Sequence, residues 1–135
     1  MIGVVVVTHG QLATELLNAA ETIVGDLPRF TAVSIGWHED VQDARDEIAQ
    51  AIARVQAEHG VLLLTDMFGG TPSNLGMTFL EVGRIEVITG VNLPMLIKLA
   101  SMLEGTDLLA VARDLREHGR NAIWVASDLL RGEKV

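Results

Sequence analysis

The sequence predicts an α/β domain: a doubly wound open sheet of parallel strands with helices on both faces. Three observations carry this. Short apolar, β-branched runs recur at Ile2–Val7, Phe30–Ile35, Val61–Thr65 and Ile85–Thr89. The stretches between them repeat apolar residues at helical spacing. The run Val61-Leu62-Leu63-Leu64 is apolar without alternation, as in a strand covered on both faces.

Ile2–Val7 reads as a buried first strand. Gln11–Val24 follows as a helix with Leu12, Leu16, Ala20 and Ile23 on one face, and Gly25-Asp26-Leu27-Pro28 closes it with a turn. Phe30–Ile35 is the second strand. Glu39–His59 is a helix with Val41, Ala44, Ile48, Ile52 and Val55 at helical spacing and Gly60 just past its end. Val61–Thr65 is the third strand, Thr71–Val82 a helix, and Ile85–Thr89 a short fourth strand. Leu93–Leu103 and Asp107–His118 are further helices broken at Gly105, Ala122–Ala126 is a last strand, and Arg131–Val135 is a loose tail. Alternating strands and helices with right-handed crossovers, and a first strand in the middle, give the order 2-1-3-4 of a flavodoxin-like sheet. One domain fills residues 1–135, without repeats or a Pro/Ser-rich linker.

The bulk numbers narrow the function classes. The 135 residues suit one compact domain, and 49% apolar content suffices for a core. No cysteine is present, which excludes disulfides, thiol catalysis and a zinc–cysteine site and suits a reducing cytosol. A net charge of −8 argues against nucleic acid and anionic lipid as partners and for a basic or mixed protein surface. The start Met1-Ile2-Gly3-Val4 has no charged leader, and no apolar run is long enough to span a membrane, so a cytoplasmic protein is expected.

In a doubly wound sheet, sites form at the carboxyl ends of neighbouring strands that wind in opposite directions. The first strand ends in Thr8-His9-Gly10, and the third runs into Asp66-Met67-Phe68-Gly69-Gly70-Thr71-Pro72-Ser73. The predicted order therefore sets His9 beside Asp66 on one rim, with Gly90-Val91-Asn92 nearby. A carboxylate beside an imidazole fixes its tautomer and supports the positive charge that develops when the ring attacks an electrophile. The expected arrangement has Nδ1–H towards Asp66 and Nε2 as the nucleophile. Gly69 and Gly70 let backbone approach a ligand closely, Thr71 reads as an N-cap and Pro72 as the first helical residue. That helix start offers free N–H groups for a phosphoryl group, with the Thr71 hydroxyl, and that of Ser73, as extra donors.

No Lys or Arg occurs before Arg29 or between Arg54 and Arg84, so neither site loop carries a cation, and the GxxxxGK[ST] nucleotide loop is missing. Neutral donors plus one carboxylate suit a group that is accepted and then released, with positive charge arriving from a partner. His38 reads as a loop residue, and His59 and His118 as helix-end residues. His9, His38, Asp66 and Asp40 fit no known metal-ligand spacing. No metal or cofactor is expected.

At these residues the chain resembles the mannose-type enzyme IIA family of the phosphoenolpyruvate-dependent sugar phosphotransferase system. The resemblance rests on Val6–Gly10, Gly60–Asp66, Gly69–Asn74 and Gly90–Met95, in order and at family-like spacing. It implies a phosphotransferase with His9 as the phosphorylated residue, Asp66 as its hydrogen-bond partner and Thr71 as a phosphate contact. It implies the histidine phosphocarrier HPr as donor, a histidine of a separate enzyme IIB chain as acceptor, and a homodimer in which Ala122–Ala126 lies against the partner's sheet. Phe68 stands where some members carry Trp. Two other roles use the same residues: a regulatory carrier or phosphotransfer subunit of a dihydroxyacetone kinase, and a binding module for a nucleotide or small anion in which His9 is a mere contact.

Overall fold

The computed structural model describes residues 1–132. Part of the expected tail, residues 133–135, lies outside the described residues. Four strands, β1 (Gly3–His9), β2 (Phe30–Ile35), β3 (Val61–Thr65) and β4 (Ile85–Thr89), form one parallel sheet in the order β2-β1-β3-β4. The helices are α1 (Leu12–Val24), α2 (Val41–Val55), α3 (Thr71–Met77), α4 (Leu93–Leu99), α5 (Leu108–Asn121) and α6 (Ala126–Leu130). The fold class and strand order are those the sequence predicts.

Period-two geometry divides the central strands between two cores. Val4, Val6, Leu62 and Leu64 face α1, α4 and α5, whereas Val5, Val7, Val61 and Leu63 face α2 and α3. Both faces of β1 and β3 are thus dry, which is why neither alternates. Leu62, Leu63 and Leu64 are fully buried, each contributing about 1.5–3 kcal/mol of transfer free energy.

Several boundaries differ from the sequence reading. The α1 face that packs inward centres on Ala13, Leu16, Leu17 and Ala20, while Leu12 and Ile23 are exposed. Leu12 and Ile23 sit at the margins of the stripe, where one helical position turns a side chain to solvent. The second helix starts at Val41, because the Asp40 carboxylate accepts from the amides of Gln42 and Asp43. It ends at Val55, before an extended Gln56. Gly60 is therefore not a helix cap. Its φ is +101°, and a Cβ there would lie 2.7 Å from the Arg84 carbonyl oxygen, so it is the residue that lets β3 enter beside the start of β4. The helices expected to reach Val82 and Leu103 stop at Met77 and Leu99, and the last long helix continues to Asn121.

The largest correction is at Ala122–Ala126. No strand forms there: Ala122 caps α5, Val125 caps α6, and Ile123 and Val125 are 76% and 63% exposed. The run has strand-like composition, but a strand requires a ladder of backbone partners, and among the described residues nothing supplies one. The outer edge of β4 is blunted instead by its own neighbour, the Glu86 carboxylate accepting from the Val87 amide.

Candidate functional site

Parallel pairing of β1 with β3 in the register Val7–Thr65 brings the two strand ends level. The chain then turns sharply at both. After β1 the Gly10 amide donates to the Ile35 carbonyl at 2.9 Å, and Thr8 Oγ1 accepts from the Ala13 amide at 2.6 Å, which anchors the start of α1. After β3 the Thr65 carbonyl accepts from both Gly90 and Val91 at 2.9 Å. The fourth matching segment, Gly90–Met95, is thereby tied to the rim, and Asn92 serves as the cap of α4, accepting from the Met95 amide.

These turns place His9 and Asp66 together. His9 Nδ1 lies 2.7 Å from Asp66 Oδ2, which also accepts from the His9 amide at 3.0 Å. Asp66 Oδ1 accepts from the Met67 amide at 3.0 Å. Burial pushes the Asp66 carboxyl up, but the hydrogen bonds from the His9 ring and amide, the His9 charge and the Met67 amide together hold it below the usual 3.8. An ionised Asp66 accepts a proton-bearing Nδ1, which leaves the lone pair of the ring on Nε2. The carboxylate is 12% exposed and the imidazole 46%, so the acid is sheltered while the ring faces out.

Nε2 looks onto Gly70. A Cβ at that position would lie 2.9 Å from Nε2 and 2.7 Å from Cε1, so only glycine leaves room at the open edge of the ring. Gly70, not Thr71, is the N-cap of α3. Thr71 is the first helical residue and Pro72 the second. Thr71 is exposed beside the same cleft of about 220 Å³ that His9 and Trp37 line. Ser73 stands differently from the expectation. Its side chain is fully buried, accepts from the Gly69 amide at 2.9 Å and donates to the Gly70 carbonyl at 3.2 Å. Its hydroxyl fastens the Gly69–Gly70 turn rather than facing the rim.

Sequence reasoning read the β2–α2 loop only through His38 and gave Trp37 no part in the rim. Trp37 is 93% exposed beside His9, with Met67 and Phe68 also exposed on the neighbouring loop. The signal was present: a tryptophan directly after a strand that ends at this rim. His38 is an exposed loop residue, as read. Among the described residues, no three His, Asp or Glu side chains come together as metal ligands, and no helix is long and apolar enough to cross a membrane.

Comparison with known proteins shows the family and the fold. Residues 3–115 match the EIIA-man family, described as the PTS system fructose IIA component. Over its whole length the chain is 33% identical to the PTS system fructose-specific EIIA component of Bacillus subtilis strain 168, covering 92% of that protein. It is 32% identical over 98 residues to the sorbose-specific EIIA component of Lacticaseibacillus casei, covering 72% of the chain and 70% of that protein. A match of the same identity to the mannose-specific EIIAB component of Escherichia coli K12 spans 30% of that longer protein. The mannose/sorbose specific IIA subunit from Enterococcus faecalis superposes with a TM-score of 0.81 at 26% identity, over 91% of this chain and 92% of that one. A PTS IIA protein from Streptococcus pneumoniae shares the fold, with a TM-score of 0.85 at 24% identity over 96% of each chain. The chain belongs to the mannose-type enzyme IIA family of the sugar phosphotransferase system.

Proposed function

We propose that this protein carries a phosphoryl group on His9 Nε2, taking it from the phosphohistidine of HPr and giving it to a histidine of enzyme IIB. The observation that carries the reading is the asymmetry of the His9 ring, with Nδ1 held at 2.7 Å by Asp66 and Nε2 left against Gly70. In the forward step the Nε2 lone pair attacks phosphorus. A new N–P bond forms, the donor's N–P bond breaks, and the donor imidazole leaves with the electron pair. His9 keeps its Nδ1 proton and becomes cationic, which the adjacent Asp66 carboxylate stabilises. The transferred group sits over the Gly69–Gly70 turn, where the Thr71 hydroxyl and the unpaired amides at the start of α3 donate to its oxygens. Transfer to enzyme IIB is the same step reversed.

Two features support protein partners rather than a nucleotide. The site loops lack Lys and Arg, so a donor must bring the compensating cations. The exposed Trp37, Met67 and Phe68 form an apolar collar suited to a protein face. Homodimerisation is part of the same reading. The exposed run at Ile123 and Val125, strand-like in composition, would gain a ladder on a second copy.

The decisive experiment is labelling with phosphoenolpyruvate, enzyme I and HPr. The protein gains an acid-labile, base-stable phosphate, and His9→Ala abolishes it. Labelling of His9→Ala at the parental level would overturn the assignment. Sedimentation of the parent and of Ile123→Glu tests the dimer, and a parent that runs as a monomer at every concentration removes it.

A further inference from the structure

His9 stands on a turn that its own neighbour ties down. Thr8 is fully buried, on the α1 side of β1 with Val4 and Val6. Its hydroxyl is used in both directions. Oγ1 accepts from the Ala13 amide at 2.6 Å and donates to the His9 carbonyl at 3.2 Å. The first of these bonds closes a loop over His9, Gly10, Gln11 and Leu12. Gln11, at the cap position of α1, makes no side-chain cap, so Thr8 caps the helix from inside the strand. On the other side of the residue, the His9 amide donates to Asp66 Oδ2 at 3.0 Å. Both peptide groups of His9 are therefore held, and Gly10, at φ +55°, makes the turn that follows.

The helix does not depend on this hydroxyl for docking. It has its own polar tie to β2, where Thr14 Oγ1 lies 3.1 Å from Ser34 Oγ, and it packs through Leu16, Leu17 and Ala20. The neighbouring strand end makes the contrast. Thr65 precedes Asp66 as Thr8 precedes His9, and both threonines are fully buried. Thr65 Oγ1 has no hydrogen-bond partner among the described residues. Burial of a β-branched residue at a strand end thus does not call for a hydroxyl, yet the one before His9 is engaged on both sides.

We propose that Thr8 is a positioning residue for phosphoryl transfer. Its hydroxyl clasps the β1–α1 turn, so that the His9 ring meets Asp66 through Nδ1 and presents Nε2 at one fixed place. The inference rests on His9 being the phosphoryl site. The imidazole is 46% exposed, so no closed cleft orients it, and the chain itself must fix the ring before a partner docks.

Thr8→Val keeps the shape of the side chain and removes the hydroxyl, whereas Thr8→Ser keeps the hydroxyl. The first measurement needs no partner. Ring nitrogen chemical shifts of neutral His9, assigned against His9→Gln, report the ratio of the Nδ1–H to the Nε2–H tautomer. That ratio should fall severalfold in Thr8→Val and stay near the parental value in Thr8→Ser. The second measurement is transfer from phospho-HPr, at a temperature where circular dichroism shows every variant folded. Thr8→Val should lose about tenfold in kcat with KM unchanged, because a displaced ring docks alike but reacts slowly. Thr8→Ser should recover most of that loss, and Thr65→Val should transfer at the parental rate. A parental tautomer ratio or a parental kcat in Thr8→Val overturns the proposal, as does a loss confined to KM. So does a Thr8→Ser as slow as Thr8→Val, which assigns the effect to the methyl group, or an equal slowing in Thr65→Val. Where Thr8→Val does not fold, Thr8→Cys, whose thiol accepts only weakly, takes its place with the same readings. Absence of labelling at His9 in the parent would strike the carrier reading instead, and the partner-free tautomer ratio would still decide the clasp.

Discussion

His9 and His59 stand at opposite ends of the same sheet, and their surroundings give one imidazole two different characters. His9 is the last residue of β1, at the carboxyl end. Its Nδ1 faces a carboxylate, and its Nε2 faces a glycine. His59 precedes β3 at the amino end. There the Met1 nitrogen donates to His59 Nδ1 at 3.0 Å, so the ring proton sits on Nε2, 3.3 Å from Glu58 Oε1. Both nitrogens of His59 are engaged, and no lone pair faces out. The amino end also holds the larger cavity, about 470 Å³ against about 220 Å³ beside His9, bordered by Glu58, Glu81 and Arg84. Volume therefore does not mark the end proposed to carry the phosphoryl group. What marks it is a nitrogen oriented by an acid and left open on its other side.

The comparison can be broken most severely by exchanging the two rings' fates. His9→Gln should abolish phosphoryl labelling, while His59→Gln keeps the parental rate; equal rates in both would erase the distinction. Next in size is Asp66→Asn, which keeps the shape of the side chain but no longer fixes the tautomer. Labelling should slow on the order of a hundredfold, as expected when an orienting partner is lost. The same variant has a pH signature. The Asp66 carboxyl is held below its ordinary 3.8, so its contribution to stability is present above that value and is lost as pH falls through the lower folded value. Parent and Asp66→Asn should differ in Tm at pH 6, and the gap should close in acid.

Gly70→Ala sharpens the open side of the comparison. Its φ of −100° admits alanine, so the fold should persist, but the new Cβ would displace the His9 ring. A displacement of this kind should slow labelling about tenfold or more, read as initial rate at equal Tm. The smallest effect belongs to His59→Gln, where the loss of hydrogen bonds should cost about 0.5–1.5 kcal/mol in a denaturant titration and leave transfer untouched.

Much of the site was legible because its residues are local in sequence and its geometry follows from topology. Thr8-His9-Gly10 closes one strand and Asp66 follows another, and the order 2-1-3-4 makes those strands neighbours. The rim position of Trp37 follows from the same rule, since β2 is the other neighbour of β1. Ser73 was misread because a hydroxyl in the first turn of a helix serves a ligand and its own turn equally well by sequence. Only its burial against Gly69 and Gly70 distinguishes them. Ala122–Ala126 forms no strand within the single chain because β-branched and aromatic content reports fitness for a pleated surface, whereas a strand exists only when a second backbone completes it.

The sequence by itself determined the layering. Apolar runs without alternation force parallel strands to be covered on both faces, and the helical stripes between them supply the cover. Tertiary structure alone decided which nitrogen of His9 is held and whether Ser73 faces the rim. Periodicity encodes which side of an element is apolar, and burial turns that into a fold. The direction of a hydrogen bond depends on atoms from segments 57 residues apart arriving within 3 Å of each other, which no local pattern records.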